Sequence, residues 1–94
     1  MRKFNNVNEL VNILKPEYPV YCIRLQSIKT SVEFFKKNFT GKVLYAVKTN
    51  PNEKILKSIV DNGIENFDVA SINEVKLVKK IDPKVKIYFM HTIK

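Results

Sequence analysis

The chain has 94 residues, 45% of them hydrophobic and 11% aromatic, and a formal net charge of +8. That is material for one domain at most, and the apolar content excludes a disordered tail. No run approaches the roughly 18 apolar residues of a membrane span, no apolar stretch follows the charged N-terminus as a secretory signal requires, and the lone Cys22 offers neither an internal disulfide nor metal-ligand spacing.

The expectation from these exclusions is a soluble, cytoplasmic protein. The positive balance raises nucleic-acid binding as a function class. The lysines, however, are spread along the chain from Lys3 to Lys94 instead of gathering on one element. The chain is also rich in Asn and Ile, which share A/T-heavy codons with Lys. A base-composition bias explains that trio without a partner, so the sequence argues against nucleic acid.

In chain order, Val7, Leu10, Val11 and Leu14 recur at helical spacing and predict a short amphipathic helix over 5–14. Pro16 and Pro19 bracket a turn, and Val20-Tyr21-Cys22-Ile23 is a strand-like run of β-favouring residues. Ser27 is placed to cap a second helix with an apolar stripe of Ile28, Val32, Phe35 and Phe39, which Gly41 ends. Residues 1–41 thus read as a helix, strand and helix leading into a regular alternation over 42–94. Val43–Val47 is a continuous apolar run, the mark of a strand buried on both faces. Pro51 sits where a helix can start; Ile55, Leu56, Ile59 and Val60 give that helix its core face, and Asn62-Gly63 stops it. Phe67–Ala70 is a second strand. Ser71 opens a third helix with Ile72, Val75, Val78 and Ile81 inward, Asp82-Pro83 turns the chain, and Val85–Met90 is a further strand.

The β-α-β-α-β order of residues 42–94, with short connections, predicts an α/β fold with a parallel sheet. An open doubly wound sheet and the opening of an eight-stranded barrel fit equally. Either architecture places its active site at the carboxyl ends of the strands. Lys48 lies there, directly after the apolar run. A lysine partly withdrawn from water at such a site has its amine freed for Schiff-base formation. The bland alternative is the first solvent-exposed residue after a strand.

The neighbouring residues separate the two. Tyr45-Ala46-Val47-Lys48-Thr49-Asn50-Pro51 resembles the Y-A-V-K-x-N signature of the alanine-racemase-like (fold-type III) enzymes that use pyridoxal 5'-phosphate, among them the ornithine, lysine, diaminopimelate and arginine decarboxylases. Phe67-Asp68-Val69-Ala70-Ser71 with Glu74 is similar to that family's F-D-x-A-S-x-x-E segment, and Tyr18-Pro19-Val20-Tyr21 to its T-P-x-Y opening. Tyr88–Lys94 is similar to the segment ending in N-P-x-K or H-P-x-K in ornithine and lysine decarboxylases, with Thr92 where proline is expected.

The resemblance implies the N-terminal portion of a (β/α)8 TIM barrel, about three of its eight strands, within a barrel of about 250 residues. It implies a carboxy-lyase acting on a basic amino acid, ornithine or lysine, to give a diamine such as putrescine, in a family of homodimers. Lys48 takes the place of the Schiff-base lysine, and Asp68 that of a carboxylate beside the cofactor and Lys48. Ser71 and Glu74 are better explained as a capping box than as parts of the site. His91, the single histidine, receives no role. A kinase-like V-A-I-K strand is excluded, because the glycine-rich loop it needs has no counterpart upstream of Gly41. The family's glycine-rich phosphate loop and the acidic partner of the pyridine nitrogen have no counterpart either. The expectation is therefore a fragment or split subunit, inactive alone, with a small basic binding module as the non-catalytic alternative.

Overall fold

The computed structural model describes residues 3–90. Helix α1 spans Val7–Leu14. Its start is set by Asn6, whose side-chain oxygen accepts the Glu9 amide at 2.8 Å, while the Glu9 carboxylate accepts the Asn5 amide at 3.1 Å. These two bonds satisfy donors that the first helical turn leaves free. The apolar stripe of α1 stays exposed: Val7, Val11, Ile13 and Leu14 are all outside the core.

The strand expected at Val20–Ile23 is not formed. Tyr21 is 93% exposed, and a strand exists only where a neighbour takes up its amides and carbonyls. Helix α2 (Leu25–Asn38) begins two residues before the expected cap, Ser27. Arg24 is its N-cap, and Ser27 lies in the first turn with its amide donating to the Arg24 carbonyl at 3.1 Å. Ile28 and Val32 of the predicted stripe turn to the core. Phe35 and Phe39 do not; their rings stack on each other at 5.3 Å on the outside.

From there the alternation is as expected, with shorter strands. It runs β1 (Leu44–Ala46), a 3₁₀ turn (Val47–Thr49), α3 (Glu53–Asp61), β2 (Asn66–Asp68), α4 (Ile72–Ile81) and β3 (Lys86–Tyr88). The three strands are parallel in the order β1-β2-β3. Tyr45, Phe67 and Ile87 stand opposite one another in register, as do Ala46, Asp68 and Tyr88. Right-handed crossovers between strands added in sequence bring their helices to one face. Burial agrees. Phe67, Leu56, Val47, Val69 and Val78 are the largest fully buried side chains, drawn from alternate strand positions and from α3 and α4. The unbroken order β1-β2-β3 fits the opening of a barrel and equally the first half of a doubly wound sheet, whose reversal comes only after three strands.

Two further expectations are corrected. Asn52, not Pro51, starts α3: its side-chain oxygen accepts the Lys54 amide at 2.9 Å and the Ile55 amide at 3.4 Å. Ile72, expected to face inward, is 64% exposed; it is the first residue of α4, directly after the cap Ser71.

Several lysines act locally. Lys36 Nζ donates to the Asn62 carbonyl at the end of α3 (3.5 Å), and Lys79 Nζ to the Val85 and Pro83 carbonyls (2.7 and 3.1 Å). The Lys36 contact places a cation at a helix C-terminal carbonyl, which is favourable, and the Lys79 contacts tie α4 to the connection that leads into β3. Gly63 has φ +103° and Lys36 Nζ occupies the space a Cβ would take. Gly63→Ala is therefore expected to cost about 1–3 kcal/mol, read as a lowered urea midpoint at unchanged slope.

Candidate functional site

The face of the sheet turned away from the helices carries Leu44, Asn66 and Lys86 in one row and Ala46, Asp68 and Tyr88 in the next. It is polar where the helix face is apolar, and most of it is half-buried, with Lys86 exposed. Lys42 Nζ donates to the Tyr88 hydroxyl at 3.2 Å at the edge of this face. Asn66 Oδ1 is buried and has no hydrogen-bond partner among the described residues. An orphaned acceptor of this kind is uncommon in a finished core and marks the face as one suited to meeting a polar group.

Lys48 sits in the 3₁₀ turn at the carboxyl end of β1. The preceding residue takes the buried position: Val47 is fully enclosed and plugs the turn into the core. Lys48 itself is exposed, not partly withdrawn from water as the sequence suggests. The reason is local, since a tight turn that buries Val47 turns the next side chain outward. Its amine is held by no hydrogen bond or ion pair to the described residues.

The turn is well fastened. The Asn50 amide donates to the Val47 carbonyl at 3.1 Å, the Asn52 amide to Asn50 Oδ1 at 3.2 Å, and the Tyr45 hydroxyl to the Asn50 carbonyl at 3.1 Å. In the sequence Tyr45 appears as part of an apolar run and as the first residue of the motif around Lys48, with no role of its own. The signal was available: a tyrosine in a buried run brings a hydroxyl that needs a partner.

Asp68 ends β2 instead of lying in mid-strand, and it is half-buried. Its register partner is Ala46, so Asp68 and Lys48 stand at the same end of adjacent strands. No hydrogen bond or ion pair joins them. Asp68 Oδ1 instead accepts the Met90 amide at 3.4 Å, fastening the chain as it leaves β3. Ser71 caps α4 as expected, its Oγ accepting the Glu74 amide at 3.2 Å, while Glu74 Oε1 accepts the Ala70 amide at 3.1 Å, one residue before the position a strict capping box uses. His91, Thr92 and Lys94, which carry the subgroup resemblance, lie outside the described residues.

The class defined by this arrangement is a parallel α/β domain with an unencumbered lysine at the carboxyl end of its first strand. The family model described as pyridoxal-dependent decarboxylase, pyridoxal binding domain, matches residues 25–94. The chain belongs to that family, its three strands form the N-terminal portion of a (β/α) barrel, and the family's cofactor is pyridoxal phosphate. No curated protein and no solved structure matches the chain. Among the described residues no helix is long and apolar enough to cross a membrane, and no group of three or more His, Cys, Asp or Glu is placed to hold a metal ion.

The residues present suit an aldehyde-bearing cofactor. A primary amine stands free on a rigid turn, with a carboxylate on the neighbouring strand and an unsatisfied amide oxygen on the same face. They supply less for its phosphate, as the only glycines are Gly41 and Gly63 and no glycine-rich loop exists between them.

Proposed function

We propose that Lys48 is the residue through which this chain holds pyridoxal phosphate, in the decarboxylation of a basic amino acid, ornithine before lysine, to a diamine such as putrescine. The observation that supports this best is the presentation of Lys48: exposed, unpaired among the described residues, and fixed at the strand end by a turn whose neighbouring Val47 is fully buried. Asp68 is the carboxylate closest in the fold's logic, one strand over at the same end. It would hold or return a proton beside the lysine amine. The preference for a basic substrate rests on the resemblance of Tyr88–Lys94 to the ornithine and lysine decarboxylases. A homodimer working in the cytoplasm belongs to the same reading.

When bound, the cofactor supplies an electron-poor ring that accepts the electron pair left as carbon dioxide departs. This chain's own contribution is the amine, its placement and the nearby carboxylate. The free edges of β1 and β3 are open to further parallel strands, from the same protein or from a partner. Such strands, by closing the sheet into a barrel, would enclose the polar face and exclude water from it. The split-subunit reading draws on these edges.

The test is to incubate the chain with pyridoxal phosphate, reduce with borohydride and map the modified lysines by mass spectrometry. Saturable modification concentrated on Lys48 is expected. Modification scattered evenly over Lys48, Lys57, Lys80 and the other exposed lysines would remove the proposal.

A further inference from the structure

We infer that Tyr45 is a positioning residue for Lys48: its hydroxyl, by holding the Asn50 carbonyl, fixes the turn that presents the amine. This role rests on Lys48 being the lysine that holds the cofactor, and extends that assignment to a residue on the strand before it.

The geometry is specific. Tyr45 lies on the helix-side face of β1, where its ring meets Phe67 edge-on at 6.2 Å. Phe67 is fully buried on the central strand, so the ring is braced against the middle of the core. From that anchor the hydroxyl reaches past the strand end and donates to the Asn50 carbonyl at 3.1 Å. Asn50 is the residue that closes the turn, through its amide on Val47 and its side chain on the Asn52 amide. One end of the turn is thus held by the Val47 plug and the other by Tyr45, with Lys48 between them. The same Asn52 that receives this turn caps α3. The clamp therefore also joins the lysine turn to the start of that helix.

Burial pushes the Tyr45 phenol above its usual value of 10.0, so the hydroxyl keeps its proton and remains a donor throughout the neutral range. A tyrosine there does what an aliphatic residue cannot. Valine or leucine would keep the position apolar, yet would lose the ring contact with Phe67 and leave the Asn50 carbonyl without this donor. The bond also couples sheet packing to the amine's position: anything that shifts the ring of Tyr45 on Phe67 shifts the far end of the lysine turn.

Tyr45→Phe removes one oxygen and keeps the ring contact with Phe67. Two readouts on the full chain test it. Hydrogen exchange is expected to rise roughly tenfold at the Asn50 and Asn52 amides, the equivalent of one hydrogen bond, with protection in β2 and α4 unchanged. Borohydride-trapped modification by pyridoxal phosphate is expected to lose its concentration on Lys48 and approach the level at Lys57 and Lys80. Gly63→Ala serves as the control, since it weakens the chain at the amino end of β2, the opposite end of the sheet from the turn, and is expected to leave the Lys48 share unchanged. Unchanged exchange at Asn50 and Asn52 in Tyr45→Phe overturns the clamp. Faster exchange with an undiminished Lys48 share overturns its positioning role. Were the unsubstituted chain itself unselective, the assignment of Lys48 would fall, and the exchange measurement would still decide whether the clamp exists.

Discussion

Phe67→Ala is expected to abolish cooperative folding of the chain. Phe67 is fully buried at the middle of the central strand, between Tyr45 and Ile87 in register. Removing a buried phenylalanine ring costs about 3–5 kcal/mol, from lost transfer energy and from the cavity left behind. Single domains are stable by only about 5–15 kcal/mol in all. This one places 94 residues around three short strands, which sets it toward the lower end of that range. The ring is also the brace for Tyr45, so the cavity would open beside the lysine turn and not at a remote wall. Urea unfolding followed by circular dichroism checks the expectation: the alanine variant should show no native baseline, while Phe67→Leu, which keeps most of the volume, should retain a transition shifted by about 1–2 kcal/mol. A native baseline in the alanine variant would mean that the core is centred elsewhere, on the α2–α3 contact.

The regular half of the fold was legible because its signals are periodic and redundant. The helices over 53–61 and 72–81 announce themselves by apolar spacing, and both begin at a residue whose side chain caps the first turn. The three parallel strands follow from short apolar runs between those helices. Residues 15–24 are different. Val20–Ile23 has every local preference for a strand and forms none. Local preference is a statement about the residue, whereas pairing depends on a neighbour the sequence does not name. The same limit explains the exposed Phe34, Phe35 and Phe39. The helical spacing of Phe35 and Phe39 predicts a buried stripe, but spacing does not say whether another element lies opposite it.

Periodicity left a doubly wound sheet and a barrel opening equally open, and it is the family match over residues 25–94 that selects the barrel. At the site, Lys48 was legible from its place after an apolar run and from the motif around it. Its exposure was not, because that depends on the 3₁₀ turn giving its one inward position to Val47. Asp68 reads in sequence as a carboxylate inside an apolar strand and hence as an anomaly. In the structure it is the strand's last residue with a backbone amide to accept, a more ordinary circumstance. Tyr45 was hidden for the opposite reason. Its ring satisfies the apolar pattern, so nothing in the pattern asks what its hydroxyl does.

Lys48→Arg is expected to abolish modification at position 48 completely while leaving the fold as it is. The two parts of that outcome rest on different physics. Arginine keeps the positive charge and nearly the length, so any attraction of the cofactor phosphate to this end of the sheet persists. Its guanidinium has a pKa above about 12 and stays protonated at neutral pH, so no free amine remains to attach the aldehyde. Since Lys48 is exposed and joined by no hydrogen bond or ion pair to the described residues, the substitution should change stability by no more than about 0.5 kcal/mol. Thermal unfolding checks the second part, and absorbance of the bound cofactor with borohydride mapping checks the first. A variant that unfolds at the same temperature and carries no label at position 48 separates the chemistry of the amine from its charge. A variant whose total label matches the unsubstituted chain, redistributed over the remaining lysines, would show that nothing in the turn favours Lys48 over its neighbours. That contrast bears directly on the Tyr45 clamp, for a lysine singled out only by exposure would not need one. The turn is fastened by the Asn50 amide on Val47, the Asn52 amide on Asn50 and the Tyr45 hydroxyl on the Asn50 carbonyl, and the Lys48→Arg and Tyr45→Phe labels together decide whether that fastening serves the lysine.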